Sequence, residues 1–184
     1  APYPVGTCTW APGIEIIHLC WKAWGKAIPD RVCGAWGRIL ECNLSGYDSE
    51  THEHFVSYLH MVEPGQGAGK GSDGLNVISA TNCLGSLILP NIEIFEIRYP
   101  FHFLQYEFRQ DGGGAGKYQG GTGNIVELEL LKPMTFAWAY EDPSFHSTFG
   151  IAGGQYAKSS EIHVTSTELI PDPFPITGNM NLQA

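Results

Sequence analysis

Two glycine-rich segments are the parts of this sequence whose residue types and spacing first suggest chemistry. Residues 64–74 and 111–123 each contain a Gly-Lys pair. Successive glycine amides can form a concave nest for an anion, so either segment could cradle a phosphate. Neither fits the P-loop pattern, because Gly71 and Tyr118 stand where a Ser or Thr should follow the lysine. Tight turns and close chain crossings therefore explain these glycines better than direct nucleotide binding.

Histidine spacing offers a second possibility, a metal-binding pair. His52 and His54 lie two residues apart and would face the same side of a strand. Residues 50–53 are all polar and precede an apolar alternation, which favours a solvated hairpin tip instead. The other histidines that we considered lack a carboxylate or second histidine at ligand spacing, so we expect structural roles for His18, His102 and His146. We predict no metal site in this chain.

Motifs for nucleophilic or zinc hydrolysis are missing from the sequence. It contains neither G-x-S-x-G nor H-E-x-x-H. Its five cysteines are an odd number without a C-x-x-C pair, so reduced thiols are the simplest interpretation. The catalytic residues therefore stay unassigned at this point.

Size and charge restrict the class of protein. The 184 residues, 43% apolar and 16% charged, are enough for one domain, which we assign to residues 1–184. Ten basic against nineteen acidic residues give a net charge of −9, which disfavours nucleic acid and anionic lipid as partners. No apolar run approaches the roughly 20 residues that span a bilayer. We predict a cytoplasmic protein.

The elements that must position these residues begin with a helix. Apolar and aromatic residues recur at three- and four-residue steps from Ile14 to Ile28. This spacing predicts an amphipathic helix over about residues 12–27, with Thr9 as a possible cap and Pro29 at its end.

The rest of the chain alternates with a period of two, which predicts strands. The predicted strands cover residues 54–62, 75–79, 87–97, 102–109, 124–131, 134–140 and 161–165. The fold class is therefore α+β and β-rich, with a mostly antiparallel or mixed sheet and one N-terminal amphipathic helix.

A longer pattern runs through the second glycine segment. It reads E-I-R-Y-P at 96–100 and Y-E-F-R-Q-D-G-G-G-A-G-K-Y-Q-G-G-T-G at 106–123. Shorter matches flank it, namely A-I-P-D-R-V at 27–32, G-S-D-G at 71–74, A-T-N at 80–82 and F-G-I-A-G-G at 149–154. In this order the motifs closely resemble the C-terminal part of the hydantoinase B/oxoprolinase family, over about residues 1–170.

Three positions depart from the pattern of that family. Gly112 stands where the family usually has Ser, Gln119 where it has Arg, and Cys83 where it has Thr. The glycine-rich element that closes the family pattern is not recognisable after Pro171. The N-terminal part of the family, which in the carboxylases supplies the metal-binding catalytic site, is also missing from this chain. The resemblance therefore implies that a companion chain supplies that part, or that this is a processed fragment.

The resemblance implies an ATP-dependent activity in a hetero-oligomer. Family members act with a hydantoinase A-type ATP-binding subunit, and either carboxylate ketones such as acetone and acetophenone or hydrolyse cyclic amides such as hydantoin and 5-oxoproline. ATP and a divalent metal would be bound mainly by other chains, including the N-terminal part of the hydantoinase B-type subunit. We favour the ketone carboxylase, a ligase, because carboxylases assemble from several unequal chains. The alternatives are a cyclic amide hydrolase and a purely architectural subunit.

Candidate substrate-binding residues lie beside the glycine segments. They are Asn82, Arg109 and Asp111, since a polar group placed by a rigid sheet next to a glycine loop can orient a substrate. Local loop structure is the alternative. Arg109 and Asp111 could pair with each other, and Asn82 could cap a turn.

Overall fold

A computed structural model describes residues 10–38, 40–48, 50–79, 81, 90–132, 134–140, 148–161, 163 and 180–182. Its elements in chain order are α1 (Trp10–Ala27), a 3-10 turn (Pro29–Arg31), β1 (Leu40–Asp48), β2 (Glu53–Val62), α2 (Ile92–Arg98), β3 (Phe101–Phe108), β4 (Asn124–Leu130), β5 (Met134–Tyr140) and β6 (Met180–Leu182). Helices and antiparallel sheets confirm the predicted α+β class.

Helix α1 begins two residues before its predicted start and ends at Ala27, as expected. Ile14 and His18 are buried, one turn apart, whereas Ile16, Leu19 and Trp24 are exposed. Because i and i+4 lie on one helical face, the first pair forms the inward side of the helix. The predicted cap, Thr9, lies outside the described residues.

The larger sheet has four strands in the order β2-β1-β5-β6, and its neighbours pair antiparallel. Strand β1 lies inside it, with Asn43 opposite Tyr58 of β2 and Trp138 of β5. Strand β1 was not predicted from the sequence. Its polar and glycine-containing sequence, LECNLSGYD, lacks the alternation of a half-buried strand.

A second sheet consists of β3 and β4, paired antiparallel from Phe101↔Leu130 to Phe108↔Asn124. Both strands were predicted. Between them lies the second glycine segment, and the first glycine segment follows β2. The two sheets therefore deliver the two glycine segments to the same part of the molecule.

Helix α2 corrects one strand prediction. Residues 87–97 were predicted as a strand, but 92–98 are helical, and 87–89 lie outside the described residues. The Asn91 side chain accepts a hydrogen bond from the Ile94 amide at 3.2 Å, which caps the helix. Phe95 is buried one turn after Ile92. The β-branched residues suggested a strand, yet the cap and the three-residue step select a helix.

Residues 75–79 were also predicted as a strand, and they are irregular instead. The amide of Val77 donates to the Thr122 carbonyl and that of Ile78 to the Pro64 carbonyl, each at 2.9 Å. Positive φ angles at Val77 (47°) and Ser79 (85°) break the extended conformation. The predicted strand at 161–165 lies largely outside the described residues, and neither Glu161 nor His163 is in a strand.

The core lies where the two sheets meet. Leu44 of β1, Phe95 of α2 and Phe101 of β3 form its buried centre, and Phe101 is only 1% exposed. The rings of Phe55 and Phe101 pack edge to face, with centroids 6.3 Å apart. This packing fixes β2 relative to β3, and so the starts of both glycine segments. Within the described residues, no helix is long and apolar enough to cross a membrane.

Candidate functional site

A cavity of about 460 Å³ lies between the two glycine-rich segments. Residues within 29–38, 62–70, 109–124 and 148–160 line it. These stretches come from the end of α1, the end of β2, the β3–β4 connection and the chain after β5. A concave site shared by several loops on a sheet scaffold is a usual place for a ligand.

Main-chain contacts hold the walls together. The Gly121 amide donates to the Gln66 carbonyl and the Gln155 amide to the Ala115 carbonyl, both at 2.8 Å. A side chain on Gly65 would collide with the Gly121 carbonyl. Glycine is therefore required at this crossing, which agrees with the predicted role of the glycines in close chain approaches.

Basic residues dominate the cavity wall although the chain as a whole is acidic. Two acidic residues, Asp30 and Glu63, also line it. The basic residues are Arg38, Lys70, Arg109, Lys117 and Lys158. A basic, amide-rich cavity is suited to a negatively charged group.

Three of these basic side chains form ion pairs inside the chain. The pairs are Arg38 with Glu15, Lys70 with Asp30, and Arg109 with Glu161. Lys117 lies with its Nζ 5.7 Å from the centre of the Tyr118 ring, and Lys158 donates to the Gln110 carbonyl at 3.4 Å. Within the described residues, Lys117 and Lys158 form no ion pair with a carboxylate.

Arg109, a predicted site residue, lies in the cavity wall at the end of β3. Its guanidinium donates to the Ser159 carbonyl at 2.5 Å and to the Glu161 carboxylate at 3.0 Å. The hydrogen bond from His163 lowers the pKa of Glu161, and the positive charge of Arg109 lowers it further. The suggested pairing of Arg109 with Asp111 was wrong, since Glu161 is the partner.

Asp111, the second predicted site residue, is not among the residues that line the cavity. It is exposed and has a φ of 52°. A positive φ is tolerated by Asp in tight turns, so its local role is to turn the chain after β3. Asn82 lies outside the described residues.

Gly112, which departs from the family pattern, lies against Thr122. The Thr122 hydroxyl donates to the Arg109 carbonyl at 2.5 Å and occupies the space that a side chain on Gly112 would need. Gln119, the second departure, is exposed, and its amide donates to the Asp73 carboxylate at 2.7 Å. The third, Cys83, lies outside the described residues.

Glu63, which was not predicted as a site residue, lies in the cavity wall directly after β2. It is 2% exposed, and neither carboxylate oxygen has a hydrogen-bond partner at good geometry in the described part of the chain. Burial raises the pKa of Glu63 to about 7, while the nearby Ser79 hydroxyl opposes this shift. The sequence feature that could have indicated Glu63 is its position, as an acidic residue between an apolar strand and a glycine-rich segment.

Buried polar groups surround this carboxyl. The Glu63 amide donates to the Asn124 side chain at 2.8 Å. The hydroxyls of Ser79 and Tyr106 are buried and, like the carboxylate, lack a well-oriented partner among the described residues. Burial raises the pKa of Tyr106, Asn124 opposes the shift, and the charge of Glu63 adds to it. Unsatisfied buried polar atoms are rare in folded proteins, so this cluster needs a functional explanation.

The strained backbone lies next to the same cluster. Ser79 is 1% exposed and has a φ of 85°. Non-glycine residues seldom adopt this conformation unless the surrounding structure enforces it. The strained residue therefore lies beside the unpaired carboxyl, which lines the cavity.

His18 has the structural role that we predicted. It is 5% exposed and shares a 2.9 Å hydrogen bond with the Thr81 hydroxyl. Burial lowers its pKa, Glu15 opposes that shift, and Arg38 adds to it. His18 therefore stays neutral near pH 7 and links α1 to residue 81.

The described residues do not suit a divalent metal. None of their His, Cys, Asp or Glu side chains forms a group of three that could hold an ion. His52 lies in the hairpin turn, where its Nδ1 is 3.1 Å from the Tyr47 hydroxyl.

Comparison with known proteins identifies relatives that are enzymes. The beta chain of the caprolactamase of Pseudomonas jessenii is 32% identical over 156 residues, which are 84% of this chain and 27% of the relative. A putative D-/L-hydantoinase of Pseudomonas sp. (strain NS671) has a B-type subunit that is 28% identical over 164 residues, 88% of this chain and 27% of that protein. The chain thus spans about a quarter of the length of these relatives.

A solved structure shows the same fold. Acetone carboxylase in its nucleotide-free form has a TM-score of 0.59 at 22% identity, over 74% of this chain and 18% of that one. The chain is thus related in fold or sequence to ATP-dependent carboxylase and caprolactamase enzymes. The family model described as Hydantoinase B/oxoprolinase matches residues 1–181, and this chain belongs to that family.

Proposed function

We propose that this chain forms one wall of the substrate chamber in an ATP-dependent enzyme complex that hydrolyses a cyclic amide. The observation that carries the proposal is the 32% identity to one chain of a caprolactamase over 84% of the present chain. Caprolactam and hydantoin, named in two of the relatives, are both cyclic amides. The likeness to acetone carboxylase, at 22% identity, concerns the fold. We therefore rank amide hydrolysis above the ketone carboxylation that the sequence analysis favoured.

The cavity supports this role through its charge and shape. In this family the resemblance implies that ATP activates an unreactive carbonyl by phosphorylation. A phosphorylated substrate is anionic, and the wall offers five basic residues and several glycine amides. Arg109 would contact the substrate from the end of β3. Contacts from Asp111 and Asn82 remain predictions.

Other chains would complete the enzyme. Two relatives are named as subunits, and this chain covers 27% of each. We propose a hydantoinase A-type ATP-binding subunit and the N-terminal part of a hydantoinase B-type subunit as partners, carrying ATP and a divalent metal. The residues 1–184 would act as one domain in a cytoplasmic hetero-oligomer. Exposed apolar residues of α1, including Leu19 at 63% and Trp24 at 54%, are suited to such contacts.

ATP consumption by the native assembly tests the proposal. The assembly would be given caprolactam or hydantoin without bicarbonate, and separately acetone with bicarbonate. ADP release that needs only the cyclic amide is expected. Turnover that needs both ketone and bicarbonate would replace the proposal with the carboxylase, and no turnover with either class would overturn both.

A matched pair of arginine variants tests whether this chain contributes to the chamber. Arg109→Ala removes a cavity residue, whereas Arg98→Ala removes an exposed arginine of α2. We expect kcat/KM to fall at least tenfold in Arg109→Ala, which corresponds to a loss of about 1.4 kcal/mol of transition-state stabilisation. In Arg98→Ala we expect kcat/KM to stay unchanged. Equal activity of the two variants would favour a purely architectural subunit.

A further inference from the structure

Two lysines without a carboxylate partner among the described residues and one buried acid line the same cavity, and together they suggest a property that neither has alone. Lys117 and Lys158 lack a carboxylate partner in the described part of the chain and line the cavity beside glycine amides. Their positive charge and donors match a tetrahedral oxyanion. A phosphate-type group therefore has a place in this cavity.

Glu63 opposes such a group when it is ionised. It lines the same cavity, its carboxyl is closed off from solvent, and no basic side chain pairs with it among the described residues. A carboxylate that water does not screen repels a nearby anion strongly. Protonation removes this repulsion.

Among the side chains packed around it, Glu63 is the one that changes charge near neutral pH. Tyr106 of β3 has a raised pKa and keeps its proton. Asn124 of β4 and Ser79 do not titrate. Burial brings the pKa of Glu63 to about 7.

We propose that the cavity is an oxyanion site whose affinity is coupled to protonation of the Glu63 carboxyl. A bound phosphate-type group raises the affinity of Glu63 for a proton, and the proton raises the affinity for the oxyanion by the same factor. Two unit charges up to about 10 Å apart, at an effective dielectric constant of about 20, couple by at least about tenfold, so we expect a factor of that size. The proposed function is needed only to name the physiological ligand as a phosphorylated substrate.

Calorimetric titration of the native assembly with sulfate tests the coupling, with ADP saturating the nucleotide site. Sulfate stays a dianion between pH 6 and pH 8, so its own titration does not interfere. We expect about tenfold weaker binding at pH 8 than at pH 6, and proton uptake on binding at pH 8 when buffers of different ionisation heat are compared. In Glu63→Gln, which mimics the protonated acid, binding at pH 8 should equal the wild-type value at pH 6 and take up no proton.

The control for this variant is Glu129→Gln, an exposed acid on β4 that does not line the cavity. It should keep the wild-type pH dependence. Proton uptake that persists unchanged in Glu63→Gln would overturn the coupling, as would a pH dependence lost equally in both variants.

A lysine pair tests the oxyanion site itself, independently of Glu63. Lys117→Ala should weaken sulfate binding at pH 6 at least fivefold, whereas Lys26→Ala, at the exposed end of α1, should leave it unchanged. Unchanged binding in Lys117→Ala, or equal losses in the two variants, would overturn the site even if the assembly hydrolyses a cyclic amide. Conversely, a site that binds sulfate as expected survives failure of the proposed activity.

The source of the oxyanion can be separated in the same titration. Inorganic phosphate and phosphonoacetate would be compared at pH 6, where tighter binding of the organic phosphonate identifies a phosphorylated carbonyl compound as the ligand. Equal affinities identify free phosphate. Both results support the site, and binding of neither anion would overturn it.

Discussion

The two ends of strand β2 place carboxylates in opposite environments. At the hairpin end, Asp48 lies opposite Glu53 and forms an ion pair with Lys132 at 2.7 Å. The Lys132 hydrogen bond and the Glu50 amide lower the pKa of Asp48 to about 2. At the cavity end, burial raises the pKa of Glu63 to about 7. The β1–β2 hairpin therefore has an acid that is ionised at neutral pH at its turn end, and an acid that titrates near neutral pH at its cavity end.

The two carboxyls differ in pKa because one is exposed to solvent and the other is covered by main chain. The hairpin tip is exposed, so Asp48 is solvated and Lys132 adds to a charge that water already stabilises. The cavity end is covered by the second glycine segment, which crosses at Gly65 and Gly121. A covered carboxyl without a cation loses its hydration, and its ionised form becomes unfavourable. Close packing of the main chain thus creates the unusual acid.

The largest change in stability should come from disrupting the close main-chain contact between Gly65 and Gly121. In Gly65→Ala the new methyl group collides with the Gly121 carbonyl, and main chain must shift to admit it. We expect a loss of at least about 3 kcal/mol in the free energy of unfolding. Denaturant unfolding of the assembly, followed by tryptophan fluorescence, measures it.

Gly13→Ala is the control for the crossing variant. Gly13 lies in α1 with nothing within 4 Å of an added methyl group. Alanine favours helix, so this variant should gain about 0.5 to 1 kcal/mol. A similar small change in Gly65→Ala would mean that the crossing does not confine the cavity end of β2.

A smaller but pH-dependent effect is expected from Glu63→Gln. The folded protein holds the Glu63 proton up to about pH 7, whereas the unfolded chain releases it near the ordinary value of 4.5. Ionisation of the unfolded chain therefore destabilises the fold increasingly from pH 4.5 to 7, and by a constant amount above. Glutamine removes this cost, so the variant should be more stable by up to about 3 kcal/mol at pH 8.

The pH dependence distinguishes this effect from ordinary changes in packing. At pH 4.5 the two proteins should differ by less than about 0.5 kcal/mol, because little of the linkage has yet developed. Unfolding curves at pH 4.5, 6 and 8 measure the difference. A gain that is equal at all three values would contradict the raised pKa of Glu63.

The elements with a clear period were predictable, and those that depend on distant partners were not. Strands β2, β3, β4 and β5 and helix α1 were recovered within about two residues. Strand β1 escaped because its polar residues are held between β2 and β5, and α2 was taken for a strand because Ile92, Ile94 and Ile97 favour strands locally.

The candidate site divides in the same way. Arg109 was found because it lies inside a long motif, and the structure has it in the cavity wall. Glu63 was missed because its environment comes from Tyr106 and Asn124, about 40 and 60 residues further along the chain. A sequence pattern records neighbours along the chain, whereas burial of a carboxyl depends on neighbours in space.

The smallest effect is expected at the hairpin tip, from Lys132→Gln. Removing the ammonium group takes away the largest cause of the lowered pKa of Asp48, but the amides of Glu50 and Thr51 still donate to its carboxylate. The pKa of Asp48 should therefore rise, yet stay below its ordinary value of 3.8. Carbon-13 NMR titration of the labelled aspartate carboxyl measures it, with Lys26→Gln as the control.

This last variant also tests whether the two ends of β2 act independently. The contribution of the Asp48 pair is present above pH 3.8 and is lost as the pH falls towards 2, whereas Glu63 responds between 4.5 and 7. Because these ranges do not overlap, Lys132→Gln should leave the pH 8 minus pH 4.5 stability difference unchanged. A changed difference would mean that the hairpin tip transmits strain along β2 to the cavity, and that the two carboxylates form one coupled system.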